Sequence, residues 1–242
     1  MVDIIIPLGN GSKSGNDELR ILLRSIEKYG GGYRHIIVVS DYAPDWLANV
    51  KVILCGDSLH KNKDGNIIIK VLKAITETDI TPDFVWSADD CALLQPLNFE
   101  ILPPICNGRD KNSFPADGTI WQRRVRRTFE FLSERGIHMK HNFESHTPQR
   151  FPARKLIRAM RNIDYQTGIG YAIDTLFFGL LGITDGFDQK LFKETCESES
   201  GWKLNKMFIG YNDTAFLHGL RERLFELFPH KSRFERQTIC RQ

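Results

Sequence analysis

No stretch of this sequence approaches the ~18 uninterrupted apolar residues of a membrane span. The first seven residues, Met1-Val2-Asp3-Ile4-Ile5-Ile6-Pro7, carry no basic leader and read as a first strand, not a signal peptide. Cysteine is sparse. Cys55, Cys91, Cys106, Cys196 and Cys240 are odd in number and show no paired spacing, which argues against a zinc site or disulfide framework and predicts a reducing, cytoplasmic setting. A Walker phosphate loop is missing. Gly9-Asn10-Gly11 begins like a dinucleotide fingerprint, but the third glycine is misplaced and Pro7 precedes it, which speaks against a nicotinamide enzyme. There is no serine elbow, no metalloprotease histidine spacing, no internal repeat and no low-complexity linker.

What remains is a chain of 242 residues with 41% hydrophobic and 26% charged content, ordinary values for one large globular domain. Ile4–Leu8 reads as a buried strand closed by the turn formers Gly9 to Asn16. Asp17 caps an amphipathic helix to about Tyr29, ended by Gly30-Gly31-Gly32. Strands follow at His35–Ser40, Val50–Leu54 and Phe84–Ser87, with a short helix at Asp45–Ala48 and a longer one from Ile67 to Thr78. This alternation predicts an α/β fold with a mostly parallel, Rossmann-like sheet flanked by helices. Beyond about residue 95 the period changes. Helices are expected around Arg123–Arg135, at Lys155–Arg161 and from Thr214 to Phe228, an apolar segment at Tyr171–Leu181 and a strand at Lys206–Tyr211. The chain reads as a single domain, with about 1–95 as a nucleotide-binding half and about 96–242 as an acceptor-side half.

The most informative segment is Phe84-Val85-Trp86-Ser87-Ala88-Asp89-Asp90, an apolar strand that ends in two adjacent carboxylates. Like charges side by side are costly unless a cation or solvent screens them. Two oxygen-rich side chains at the carboxyl end of a strand suit a hard divalent ion such as Mg²⁺ or Mn²⁺, at the position where α/β sheets bind ligands. The alternative is a solvated turn.

Charge is unevenly spread around a net +3. Arg123, Arg124, Arg126 and Arg127 form a dense cluster, followed by Arg150, Arg154, Lys155, Arg158 and Arg161 and by a tail with Lys231, Arg233, Arg236 and Arg241. These are either solvated faces or a groove for phosphates, with Arg124, Arg127, Arg150 and Arg154 the candidates. Lys63, Asp64 and Asn66 precede a helix and suit ribose or phosphate at its N-terminus, or simply a polar turn and cap. Trp86 and Trp121 either stack on a base or sugar or belong to the core.

Four passages in order resemble a GT-A glycosyltransferase and, within that fold, the Stealth family of sugar-phosphate transferases. Glu18-Leu19-Arg20 with Leu23 to Tyr29 is similar to that family's first helix, and Ile36 to Asp41 with Pro44, Trp46 and Leu47 to its next strand. Phe84 to Asp90 resembles the aromatic strand ending in Asn-Asp-Asp. His146-Thr147-Pro148 resembles the third conserved region, which precedes a helix, and Lys206 to Asp213 the fourth. Two departures stand out. Ser87 replaces the first acid of the usual GT-A motif and Ala88 the Stealth Asn, so Asp89 and Asp90 are left to hold metal. The opening Ile6-Pro7-Leu8-Gly9-Asn10-Gly11 is closer to an ordinary GT-A first loop, which favours glycosyl over phosphosugar transfer.

The resemblance implies a metal-dependent transferase that takes a nucleotide-sugar donor. Pro7, Leu8, Gly9, Asn10, Asp41, Lys63, Asn66 and Asp89 are then expected on the donor, and Asp89 and Asp90 on a divalent ion that neutralises the leaving diphosphate. Candidate catalytic groups are Asp90, with His146, Glu144 and Asp213 as general bases. Without a catalytic role, His146 is a residue at the start of a helix with its ring on backbone, and Asp213 a helix N-cap. The acceptor is a glycan by resemblance, or nucleic acid given the basic second half, for instance a hydroxymethylated base flipped out of DNA. Two rival readings stand: Stealth-like sugar-phosphate transfer, and a catalytically silent module that binds polyanions or nucleic acid.

Overall fold

In the computed structural model residues 1–236 are described, so Cys240 and Arg241 lie outside the described residues. The chain opens with β1 (Val2–Pro7), α1 (Asp17–Tyr29), the two-residue β2 (Gly30–Gly31), β3 (Tyr33–Ser40), β4 (Lys51–Leu54), α2 (Lys63–Glu77) and β5 (Asp83–Trp86). Short strands follow at β6 (Cys91–Leu93), β7 (Leu97–Asn98) and β8 (Ile105–Cys106), then α3 (Ile120–Ser133), β9 (Gln149–Pro152), α4 (Ala153–Met160) and α5 (Ile173–Leu180). The remainder comprises β10 (Phe187–Asp188), β11 (Lys193–Cys196), β12 (Phe208–Tyr211), α6 (Asp213–Ala215) and α7 (Arg221–Leu227).

This is a mixed α/β protein. Its central sheet runs β4-β3-β1-β5-β9, parallel except for β9, which pairs antiparallel with β5. Successive strand residues face opposite sides, so an unbroken apolar run marks a strand covered on both faces. In β1, Ile4 and Ile6 pack with Leu19 and Leu22 of α1, while Ile5 packs with Ile68 and Val71 of α2 on the other face. β9 comes from the second half of the chain, yet it completes this sheet; Phe151 fills the α2 side together with Phe84 and Phe177. A second sheet, β11-β12-β6, begins only four residues after β5 ends. Among the described residues, no helix is long and apolar enough to cross a membrane.

Four local expectations fail for physical reasons. Asp45–Ala48 is no helix: Leu47 instead forms a bridge to Glu235. Asp64-Gly65-Asn66 lies inside α2, because Asn62 caps the helix and starts it at Lys63, four residues before the apolar pattern begins at Ile67. The helix from Thr214 to Phe228 breaks at His218 and at Gly219, whose φ of 111° is open to glycine and closed to most other residues. His146-Thr147-Pro148 precedes a strand, β9, and the helix follows only after it.

Asn62 sets where α2 points. Its buried Oδ1 accepts from the Gly65 amide at 2.9 Å, and its Nδ2 donates to the carbonyls of Tyr165 at 3.0 Å and Gln166 at 3.3 Å. Gly170, at φ 68°, has to be glycine here, since a Cβ would fall 2.1 Å from that same Oδ1. Replacing Asn62 with Ala removes a cap and strands two carbonyls, and should cost ~2–3 kcal/mol in denaturant unfolding. Asn62→Asp keeps the cap but loses the donor, so its loss should be smaller; equal stability of all three proteins would contradict this role.

Candidate active site

Three cavities of about 610, 380 and 460 Å³ open beyond the carboxyl ends of β1 and β5, and Lys63 and Asp90 line all of them. They are lobes of one cleft. The largest is walled by Ile67, Trp86, Trp121 and Ile173. The second is polar, built from the Gly9–Ser12 loop with Glu18, Asp57 and Lys70. The third gathers His146, Lys193, Tyr211 and Asp213.

The acidic pair sits where the chain changes sheets. The Ser87 amide still donates to Ile5 in the central sheet, and Cys91 already pairs with Gly210 of β12. Because β12 runs antiparallel to β6, its end returns to the start of β6, and the Tyr211 amide donates to the Asp90 carbonyl at 3.2 Å. That topology brings Asn212 and Asp213 to Asp90 from 122 and 123 residues away in sequence. Burial, and next the charge of Asp90, push the Asp89 carboxyl up to about 7. Asp90 Oδ1 and the Tyr211 hydroxyl are buried with no hydrogen-bond partner among the described residues. A charged oxygen without a donor, next to a second carboxylate, is an arrangement that a hard cation would relieve. The residues therefore fit a divalent ion.

Cations face the pair from two sides. Lys63, the first residue of α2, lines all three lobes. Lys193 is nearly buried, its ammonium donating to the Ser145 carbonyl at 2.6 Å, and burial pulls its pKa down. Gly210 lets it pass, because a Cβ there would lie 2.4 Å from Lys193 Cε. His146 holds a positive φ of 50° and sets its Nδ1 3.9 Å from Asp90 Oδ2. A buried polar network fixes this loop from below: Ser145 and Thr147 share a hydrogen bond at 2.7 Å, and Gln149 donates to Ser145 Oγ at 2.9 Å.

Under the largest lobe lie three buried carboxyls and one guanidinium. Arg124 of α3 pairs with Asp64 of α2 at 2.7 Å and donates also to the Lys61 and Ile169 carbonyls. Glu144 Oε1 accepts from the Thr175 amide at 2.9 Å and hydroxyl at 3.1 Å. Asp174 Oδ1 accepts from the Trp86 indole at 2.6 Å. Burial and then Asp64 push Glu144 up to about 8, and burial and then Glu144 raise Asp174 well above an ordinary carboxyl.

Of the residues singled out in the sequence, Pro7, Gly9, Asn10, Lys63, Asp89, Asp90, Glu144, His146 and Asp213 line the cleft. Others do not belong there in the expected role. Leu8 is a core residue whose carbonyl, not its side chain, receives Lys70. Asp41 lines none of the lobes. Asn66 lies at the polar lobe, but its amide is consumed in clipping Ser58 and Leu59. Arg124 lines the largest lobe but commits three of its five N–H donors to Asp64 and two carbonyls, so it serves first as the partner of Asp64. Arg127 stacks on Tyr171 at 4.7 Å and donates to Thr167. Arg150 donates to the Glu100 carbonyl, and Arg154 is carried by α4, which starts at the opposite end of the sheet because β9 runs antiparallel to β5. Asp213 is not the cap of α6: Asn212 is, and Asp213 pairs with Lys13 at 2.8 Å.

Lys193 and Asp174 were missed. Asp174 did leave a signal, as the one acid in the apolar stretch from Tyr171 to Leu181. Outside the cleft, Cys106, His141 and Asp185 bring ligand-type atoms within 4.8 Å of one another, although the cysteine spacing gave no hint of it. The sequence matches no protein-family model, and no curated protein matches it.

A carboxyl that keeps its proton to about 8 in the folded protein, against 4.5 ordinarily, makes a stability contribution that is fully present below about 4.5 and lost as pH rises through about 8. Glu144→Gln removes that titration. Relative to wild type, the variant should gain ~1–3 kcal/mol in denaturant unfolding as pH rises across this window. Parallel stability curves for the two proteins would contradict a buried, protonated Glu144.

Proposed function

We propose that the protein is a metal-dependent glycosyltransferase of GT-A type, moving a sugar from a nucleotide-sugar donor to an acceptor hydroxyl. The observation that carries this reading is the orphaned Asp90 oxygen beside Asp89, at the point where all three lobes of the cleft meet. The parallel sheet and the glycine-containing loop after β1 support it, since both suit a nucleotide bound across the strand ends.

Asp89 and Asp90 would hold a divalent ion, which when bound supplies charge neutralisation for a departing nucleoside diphosphate. The protein's own groups do the rest. Lys63 at the start of α2 presents an ammonium to the phosphates, and Lys193 adds a second cation in the third lobe. The Gly9–Ser12 loop, which Ser12 and Ser14 tether to Glu18, shapes the polar lobe for the nucleoside. His146 is exposed to the cleft beside Asp90 and is the group placed to take the proton of the acceptor hydroxyl, with Asp90 stabilising the imidazolium that forms.

Nucleoside diphosphate release from a panel of nucleotide-sugars with Mn²⁺ tests this directly. Asp90→Asn should lose at least ~10²-fold in turnover with an unchanged fold by circular dichroism. His146→Ala should lower kcat with little change in calorimetric nucleotide affinity. Full turnover of Asp90→Asn in EDTA would overturn the reading.

A further inference from the structure

The largest lobe differs in kind from the other two. Ile67 of α2, Ile120 and Trp121 of α3, Ile173 of α5 and Trp86 of β5 give it apolar walls, and Glu144 and Asp174 line its floor. A sugar ring carries hydroxyls around its whole rim, and isoleucine walls would leave several of them without partners, at a cost per group that a binding site rarely tolerates. A flat aromatic ring buries two apolar faces and needs polar partners only along its edge. The floor matches such an edge. Thr175 and Trp86 engage one oxygen each of Glu144 and Asp174, which leaves the second oxygen of each without a protein partner among the described residues. Arg124 answers the charge of Asp64, so the floor is not strongly anionic.

Building on the transferase reading, we propose that this lobe is the acceptor subsite and takes a nucleobase, a planar heteroaromatic ring whose lactam edge meets Glu144 and Asp174. Two neutral carboxyls can donate an O–H to a ring carbonyl and accept from a ring N–H, which a pair of carboxylates cannot do. Burial, and then the neighbouring acids, push Glu144 up to about 8 and Asp174 well above an ordinary carboxyl, toward the protonated form. A hydroxyl-bearing substituent on such a ring would project toward His146 and Asp90, which line this lobe and the third one alike. Lys61 and Lys63 stand on the same lobe and suit phosphates flanking the base if it belongs to a polynucleotide. The polar lobe, on the other side of the acidic pair, is left to the donor.

The groups that face Glu144 are Asp64 of α2, Arg124 of α3, Asp174 and Thr175 of α5, and His146 of its own segment, with Lys63 and Asp90 across the lobe. Its titration is therefore tested by comparison with a variant that cannot titrate. Thymidine, oligothymidylate, maltose, and UDP with Mn²⁺ are titrated separately into the full chain, with binding read by calorimetry and tryptophan fluorescence at about pH 6 and about pH 9, where the ring imide is still mostly un-ionised. Thymidine should bind saturably at the lower pH and ~10-fold more weakly at the higher, because ionised Glu144 loses its donor. Glu144→Gln, whose carboxamide donates at every pH, should bind with a much smaller pH dependence. Trp121→Ala, at a half-exposed position, should weaken thymidine at least ~10-fold and leave UDP–Mn²⁺ binding unchanged. Tighter binding of oligothymidylate than of thymidine supports a base within a polymer, and equal binding supports a free nucleoside. Maltose binding without thymidine binding overturns the proposal, as does competition between thymidine and UDP, which would give the lobe to the donor's base. Thymidine binding without any UDP–Mn²⁺ binding supports the lobe assignment and overturns the transferase reading; the reverse overturns the lobe assignment alone. Should Glu144→Gln fail to fold, Trp121→Ala decides between the same outcomes.

Discussion

Between Trp86, the last residue of β5, and Cys91, the first of β6, the chain has four residues in which to leave one sheet and join another. Two of the four are aspartates. The sheet change fixes their backbone from both sides, through the Ser87 amide on Ile5 and the Tyr211 amide on the Asp90 carbonyl. Burial first, and then the charge of Asp90, push the Asp89 carboxyl up to about 7, and Asp90 keeps an oxygen with no hydrogen-bond donor among the described residues. The rest of the cleft is arranged around that seam. The second sheet exists to bring Tyr211, Asp213 and Lys193 to it, and β9 to bring His146.

The floor of the large lobe repeats the pattern with a different answer. Asp64, Glu144 and Asp174 outnumber the one guanidinium, Arg124, that reaches them. Asp64 is answered by pairing with Arg124, while burial and neighbouring acids raise Glu144 to about 8 and Asp174 well above an ordinary carboxyl. Buried acids of this kind cost stability relative to apolar residues of the same shape, and proteins keep such groups where the chemistry of a site uses them. The two acidic sites thus divide the cleft into an ionic half, suited to phosphates, and a neutral half, suited to an uncharged ring.

Much of the sheet was legible because its strands carry unbroken apolar runs. Ile4–Ile6, Ile36–Val39 and Phe84–Trp86 each fill both faces of a covered sheet, and glycines and asparagines mark the turns between them. The acidic pair was legible for the same reason, since a strand that ends in two carboxylates is chemically conspicuous. What stayed hidden depends on long-range packing. Arg124 reads in sequence as one of four clustered arginines, and only the folded chain, across sixty residues, makes it the partner of Asp64. Lys193 lies in a four-residue strand with no apolar pattern of its own, so only its contact with Ser145 reveals it. Cys106, His141 and Asp185 are scattered in sequence and meet through loops.

The central claim is that Asp89 and Asp90 hold a divalent ion against the phosphates of a bound nucleotide. Anomalous diffraction from a crystal soaked with Mn²⁺ and a nucleoside diphosphate measures this most directly. The expected result is one strong peak in coordination contact with the Asp90 carboxylate and with the diphosphate. A peak confined to Cys106, His141 and Asp185, or a bound diphosphate with no ion between it and Asp90, would contradict the claim.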